Sequence, residues 1–404
     1  MPSYNKFKAR SSSTSFGRSG GGQRSGGGSR GPKRRGQYIH PSRFVQAARL
    51  IDVEVYTPKH QFADFDVNDV IKNNLATNGY IIPTPIQDQA IPFALEGRDV
   101  IGIASTGTGK TAAFAIPMIN RLAGNRNANA IIIAPTRELA QQIEDECRKL
   151  GKGTGLSAAL LIGGTPMGPQ LRDLKSKPQV IIGTPGRIKD HIERGTLQLS
   201  NFNTVVLDEV DRMLDMGFIN DIRFILDMLK DERQSLFFSA TLDGKVNELI
   251  QTFSNDPITI SLKASETSEN VEQDIIAYSS PREKMDRLHD LLLSEAVKKV
   301  IVFDETQRSV ERLSNELIAR GFIADAIHGG KSQGQRQRAL NRFKKNEITI
   351  LVATDVAARG IDVADITHVI NYEVPQSYDD YIHRIGRAGR AGKTGFALTF
   401  VAGN

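Results

Sequence analysis

The most chemically pointed string in the sequence is ASTGTGKT, Ala104 to Thr111, which follows the apolar run Val100–Ala104 and precedes AAFAIPMINRL. A strand, a Gly-rich loop and a helix in that order form a phosphate cradle. Backbone N–H groups around Gly107 and Gly109, with Ser105, Thr106 and Thr108 filling out the loop, can converge on an anion at the helix start. Lys110 can reach the β and γ phosphates, and the Thr111 hydroxyl can ligate Mg²⁺. Ala104 stands where the common pattern has its first glycine, so the context is a stronger signal than the string itself.

A second turn supplies carboxylates. In TVVLDEVD an apolar strand ends on Asp208 and Glu209. Asp208 can hold Mg²⁺ through its water shell, while Glu209 can orient and deprotonate an attacking water. Alone, such a turn could equally cap the next helix. Joined to a phosphate loop, it reads as the other half of a site that hydrolyses a nucleoside triphosphate.

The elements that must position these residues follow from the apolar pattern. From about residue 60, short apolar runs alternate with amphipathic helical stretches, which is how parallel α/β domains read. The first strand candidates are Val100–Ala104, Ala130–Ala134, Ala158–Ile162, Val180–Ile182, Val205–Leu207 and Ser235–Phe238. A polar stretch, SLKASETSEN, then interrupts the pattern. A second series follows: Val300–Phe303, Ala324–Ile327, Ile348–Val352, Val369–Tyr372 and Phe396–Val401. The predicted organisation is a tail over 1–40, a connecting segment over 41–59, a first domain over 60–260, a linker over 261–270 and a second domain over 271–404. In open parallel sheets the ligand crevice lies beyond the carboxyl ends of the strands, so two sheets in tandem predict one cleft between two domains.

The 404 residues and 39% hydrophobic content suffice for two cores. The lone Cys147 excludes an intrachain disulfide framework or a multi-cysteine zinc site and fits a reducing compartment. No apolar run reaches the roughly 20 residues a bilayer span needs, and the N-terminus lacks the apolar stretch of a signal peptide, so a cytoplasmic protein is expected. The net charge is +6, yet all of the excess lies in residues 1–51, which hold eleven Lys or Arg and no Asp or Glu. Residues 1–40 are Gly-, Ser- and Arg-rich with few large apolar groups, a composition expected to be disordered. Arg within such sequence, with Phe7, Phe16 and Tyr38 interspersed, suits loose contact with single-stranded RNA, although a merely solubilising extension has the same composition.

With these pieces in order, the sequence from Phe62 to about Val401 resembles the DEAD-box RNA helicases of helicase superfamily two. The resemblance rests on Phe62 with GYIIPTPIQ, ASTGTGKT, PTREL, Gly163–Gly164, TPGR, DEVD, Ser239–Ala240–Thr241, FDET, SQGQR, ATDVAARGIDV and YIHRIGRAGRAG. It implies an α/β fold of two tandem RecA-like domains, each a mainly parallel sheet flanked by helices, ATP and Mg²⁺ as cofactors, RNA as partner and a monomeric core. It also implies that Gln87 reads the adenine edge, supported by Tyr80 and Phe62. Pro135, Thr136, Arg137, Gly163, Gly164, Thr184, Pro185, Gly186 and Arg187 would contact RNA backbone. Amides, small hydroxyls and guanidinium groups are suited to phosphate oxygens. Ser239 and Thr241 would bond Asp211 and relay the nucleotide state.

On the second domain, Thr306, Gln333 and Arg336 would contact RNA or the other domain, and Thr354 would meet RNA. Gly360 and Asp362 would approach the nucleotide, with Asp355 and Arg359 bracing their loop. Arg387 and Arg390 would be arginine fingers, with His383 and Arg384 wiring them to neighbouring loops. Glycines at 386, 389 and 392 disfavour a continuous helix there. The resemblance thus predicts ATP-dependent, local separation of RNA strands. An ATP-gated RNA clamp of slow turnover and a DNA-directed motor share the same engine. Three features depart from the family pattern. Val210 replaces the usual alanine, Gly330 stands where many relatives carry Asp, and the sequence stops at Asn404 without the terminal helix many relatives have, which points to a shortened chain.

Overall fold

Runs of Val, Ile, Leu and Ala bounded by glycine or polar residues become the inner strands here because helices cover both faces of those strands, so most positions must be apolar. The computed structural model describes residues 39–47, 56–105, 107–262, 270–358, 363, 365–389 and 394–403. The tail over 1–38, most of the expected linker, Thr106, Arg359, Gly360, Asp362 and Arg390 lie outside the described residues.

The first sheet contains β1 (Val100–Ile103), β2 (Ala130–Ile133), β3 (Ala158–Leu161), β4 (Val180–Gly183), β5 (Thr204–Leu207), β6 (Gln234–Ser239) and β7 (Ile258–Ser261). All pairings are parallel, in the order β3-β4-β2-β5-β6-β1-β7. The second sheet contains β8 (Val271–Tyr278), β9 (Val300–Phe303), β10 (Ala324–Ile327), β11 (Ile350–Ala353), β12 (His368–Asn371) and β13 (Gly395–Ala402). It is also all parallel, in the order β10-β11-β9-β12-β13-β8. Side chains alternate between faces with period two. Ile132 and Val206 therefore enter one core of the first lobe, and Ile131, Ile133 and Val205 enter the other. Two RecA-like lobes, each a parallel sheet flanked by helices, result.

This topology places β5, β6 and β1 side by side. Their carboxyl ends carry Asp208, Ser239 as the last residue of β6, and Gly107, and must open on the same crevice. No helix of the described residues is long and apolar enough to cross a membrane.

One buried histidine gives the second lobe a pH dependence. His368 on β12 stacks on Phe396 of β13, with ring centroids 4.8 Å apart and planes inclined by 15°. Burial lowers its pKa from 6.5 to about 4. The unfolded chain therefore takes up the proton first. The stability contribution is full above pH 6.5 and is lost as pH falls toward 4. Thermal melts should show the midpoint falling by several degrees between pH 7 and 4.5. His368→Phe should make that fall shallower, and an unchanged slope would remove His368 as its source.

Candidate active site

The phosphate loop takes its shape from its glycines. Gly107 and Gly109 have φ of 82° and 90°, the left-handed region that favours glycine. A Cβ on Gly109 would fall 2.4 Å from Gln87 Nε2. The helix Lys110–Gly124 begins directly after Gly109, so its positive end faces the loop. Lys110 Nζ donates to the Ala104 carbonyl at 2.8 Å, and the Thr108 hydroxyl to the Ser105 carbonyl at 2.8 Å. Ala104 is buried where the common pattern has glycine, and its N–H donates to Ser239 O at 3.0 Å, tying the loop to β6.

The carboxylates follow β5. Asp208 and Glu209 are 3% and 4% exposed. Burial pushes the Asp208 carboxyl up to about 6, against the opposing pull of Lys110. Burial also acts to raise Glu209, but Arg212, Lys110, Arg387 and His383 outweigh it and hold the group below its ordinary value. Glu209 has φ of 53°, unusual for a residue with a side chain; such strain clusters at functional sites. Arg212 Nε lies 3.6 Å from Glu209 Oε2. Asp208, a buried carboxylate with raised pKa, shares the cleft with the Thr111 hydroxyl. Hard oxygen donors of this kind fit a hydrated Mg²⁺, which would relieve the cost of charging Asp208.

A cleft of about 620 Å³ gathers Tyr80, Gln87, Lys110, Thr111, Asp208 and Glu209 from the first lobe and Arg387 from the second. The expected adenine end is built on one side. Gln87 Oε1 accepts from Thr84 N at 2.9 Å and its Nε2 donates to Gly109 O at 3.1 Å, so the glutamine touches the phosphate loop itself. Phe62 meets Tyr80 edge to face at 5.5 Å, and the Tyr80 hydroxyl bonds the Glu146 carboxylate.

The residues expected to relay the nucleotide state bond one another within the first lobe. Asp211 Oδ2 accepts from Ala240 N, Thr241 N and the Thr241 hydroxyl at 3.1, 3.0 and 3.2 Å. The Ser239 hydroxyl accepts from Asp211 N at 3.2 Å. From the second lobe the helix Tyr378–Ile385 ends at Gly386, as its glycines require, and delivers Arg387, 3% exposed, just past its end. Burial lowers the His383 pKa to about 4, with Arg212 adding to the effect. Arg384 grips Asp355 through Nε at 2.5 Å and Nη2 at 2.7 Å, and reaches Asn371 Oδ1 at 3.2 Å.

The expected RNA contacts divide into groups. Thr136 caps the helix Arg137–Leu150, and Arg137 lies over the glycine turn, where a Cβ on Gly164 would come 1.9 Å from its Nη1. Arg187 Nη1 donates to Thr165 O at 3.3 Å, bringing TPGR beside the same turn. Thr184, Pro185 and Gly186 start the helix Pro185–Glu193, and Pro135 precedes Thr136. On the second lobe, Gln333 Nε2 donates to Glu138 Oε1 at 3.2 Å and Arg336 Nη2 lies 2.8 Å from Glu138 Oε2, so both engage the first lobe. The Thr306 hydroxyl caps the helix Gln307–Ala319, and Thr354 is buried after β11. Glu138 and Arg212 do not figure among the sequence-derived site residues. Glu138 lies within the PTREL string itself and Arg212 directly follows DEVD, which was the available signal for each.

Two departures have local explanations. Val210 is fully buried, its added methyl groups absorbed in the core rather than in the cleft. Gly330 N donates to His328 Nδ1 at 3.2 Å, and a Cβ there would come 2.7 Å from Gln307 Oε1.

Comparison with known proteins decides the family. The family models for the DEAD/DEAH box helicase and the helicase conserved C-terminal domain match residues 84–249 and 283–392. The chain is a DEAD-box helicase. It is 45% identical over 345 residues to an ATP-dependent RNA helicase CshA of Limosilactobacillus reuteri, covering 85% of this chain and 69% of that one. It is 46% identical over 342 residues to the DEAD-box ATP-dependent RNA helicase CshA of Bacillus subtilis, covering 84% and 69%. This DEAD-box chain thus spans about two thirds of the length of these relatives. Among solved structures it superposes on S. cerevisiae Dbp5 bound to RNA and ADP BeF3 with TM-score 0.75 at 29% identity, covering 85% and 90%. Mss116p bound to ssRNA and AMP-PNP gives 0.75 at 31% identity, covering 83% and 73%. A DEAD box protein from Methanococcus jannaschii, 41% identical, gives 0.51.

Proposed function

We propose that this DEAD-box enzyme is an ATP-dependent RNA helicase whose two lobes, residues 60–260 and 271–404, close together on Mg-ATP and RNA and open a short duplex locally. One observation carries the reading: Arg387 of the second lobe, together with Lys344, lines a cleft in which Lys110, Asp208 and Glu209 stand on the first. A site divided in this way is complete only when the lobes meet. In the proposed assignment, Gln87 holds adenine, Lys110 and the loop amides hold the phosphates, and Thr111 with Asp208 holds hydrated Mg²⁺. Glu209 takes the proton of the attacking water, and Arg387 neutralises charge developing on the γ-phosphoryl group. Gly360, Asp362 and Arg390 join them by resemblance.

If RNA backbone also spans both lobes, at Arg137, Gly164 and Arg187 on one and Thr354 on the other, RNA and ATP favour the same closed state. Each must then strengthen binding of the other. The lone buried thiol, Cys147, suits a reducing compartment, and we place the enzyme in the cytoplasm.

The test is the rate of ATP hydrolysis with and without RNA, and with a matched DNA strand to query the 2′-hydroxyls. Stimulation by RNA alone is expected; a rate indifferent to RNA overturns the reading, and equal stimulation by DNA favours a DNA-directed motor. RNA that dwells equally long under ATP and a non-hydrolysable analogue favours a clamp. Gly164→Ala should raise the RNA concentration for half-maximal stimulation about tenfold, because the methyl group displaces Arg137; single phosphate and base contacts carry roughly 1–3 kcal/mol.

A further inference from the structure

The helix that delivers Arg387 has a second face, and a segment from far away in sequence covers it. At 100° per residue, Tyr381 and Ile385 lie close together on the helix Tyr378–Ile385, while His383 lies on nearly the opposite side, toward the seam. Tyr381 and Ile385 are fully buried, in one cluster with Ile39, Phe44, Val271 and Ala397. Ile39 and Phe44 precede the entire first lobe.

The docking is specific. Pro41–Phe44 form one 3-10 turn capped by His40, and Phe44 is fully buried with its ring centroid 4.8 Å from that of Tyr381. The Arg43 guanidinium lies 3.7 Å over the Tyr378 ring. Gln46 and Gln273 exchange both backbone hydrogen bonds, at 2.9 and 2.8 Å, so the segment extends the second sheet at its exposed edge strand β8. The Tyr381 hydroxyl closes the arrangement by donating to Gln273 Oε1 at 2.9 Å.

Further along, the chain is fastened to the first lobe. The Asp88 carboxylate, next to Gln87 and nearly fully buried, accepts from the Tyr56 hydroxyl, from Lys59 N at 2.9 Å and from His60 N at 3.0 Å. Two residues beyond His60 comes Phe62, against Tyr80. Residues 47 and 56 are joined by nine peptide units, which span at most roughly 30 Å. One stretch of chain is thus anchored behind the finger helix on one lobe and beside the adenine end on the other.

We propose that residues 39–47 are a positioning strap for the arginine finger, with Phe44 and the Gln46 bridge holding the helix Tyr378–Ile385 so that Arg387 stands at the cleft. This rests on the proposed role of Arg387, and Phe44 acts only through Tyr381. The variants are Phe44→Ala, Phe44→Leu as the conservative counterpart, and Gln46→Pro, which removes the N–H that donates to Gln273.

Hydrogen exchange on the full-length protein without ligands reads the strap independently of activity. Faster exchange at the Gly386, Arg387 and Ala388 amides is expected in Phe44→Ala and Gln46→Pro, and near wild-type exchange in Phe44→Leu. RNA-stimulated kcat should fall about tenfold in Phe44→Ala, the equivalent of 1.4 kcal/mol, with KM for ATP changed far less and Phe44→Leu recovering most of the loss. Unchanged exchange at these amides in both disruptive variants overturns the strap whatever the activity. Faster exchange with wild-type kcat overturns its link to the finger. A wild-type protein that RNA does not stimulate would instead count against the proposed function, leaving the exchange result to judge the strap.

Discussion

Arg387→Ala should lower RNA-stimulated ATP turnover by roughly 10³- to 10⁵-fold, the range an arginine finger contributes in related phosphoryl transfer. The affinity for ATP should change much less. The asymmetry comes from where the groups sit. In the proposed assignment Lys110, the loop amides and Gln87 would surround the nucleotide from the first lobe and hold it before and during reaction. Arg387 reaches the cleft from beyond the end of the helix Tyr378–Ile385, where in the proposed role it would meet charge that grows as the γ-phosphoryl group leaves. A group that acts mainly on the transition state shows itself in kcat rather than in ground-state binding. Steady-state hydrolysis at saturating RNA, paired with equilibrium binding of a fluorescent ATP analogue, separates the two. A large loss of binding with nearly normal kcat would move Arg387 from catalysis to ground-state recognition.

Glu209→Gln should have the second largest effect, a fall in turnover of about 10²- to 10⁴-fold, the range for a positioned general base. The amide preserves the size of the side chain but cannot take a proton from water. Arg212, Lys110, Arg387 and His383 hold Glu209 below its ordinary value despite its burial, which leaves its carboxylate free of a proton and able to accept one, at the cost of basic strength. Asp208 beside it is pushed the other way, up to about 6, and suits a metal-facing role. Because the change spares phosphate and RNA contacts, the variant should retain RNA in the presence of ATP longer than the wild type. Hydrolysis assays combined with RNA dwell-time measurements check both halves. Turnover within threefold of wild type would remove Glu209 as the base.

Much of this was legible in the sequence because the chemistry sits at strand ends, and buried parallel strands are uninterrupted apolar runs. All eleven sequence-derived strands are present, shifted by at most two residues at an end. The two that the pattern did not show, β7 and β8, are edge strands. Ile258–Ser261 exposes half its length, and Val271–Tyr278 alternates buried and exposed residues at its start, so neither offers a continuous apolar run. At the site, the motifs gave the bonding of Asp211 to Ser239 and Thr241 and the reach of Gln333 and Arg336 toward the other domain, but not most individual partners. That Gln87 bonds Gly109 and that Glu138 receives Gln333 and Arg336 are facts of tertiary packing across 22 and 195 positions. The docking of Phe44 on Tyr381 was illegible for the same reason: a short turn carries no periodicity, and its partner lies far along the chain, in the second lobe.

The seam places Arg137 of one lobe close enough to Arg336 of the other that, after burial, their mutual repulsion lowers the Arg137 pKa, with Glu138 between them as partial counterweight. Two cations facing each other across a joint make ionic strength a lever with opposed effects. Added salt eases that repulsion, yet it also weakens the Arg336–Glu138 attraction across the joint and that of any polyanion that would neutralise both cations at once. If nucleic acid binds this seam as proposed, the balance between those effects would set a window of ionic strength within which the polyanion, rather than dissolved ions, governs how firmly the halves meet.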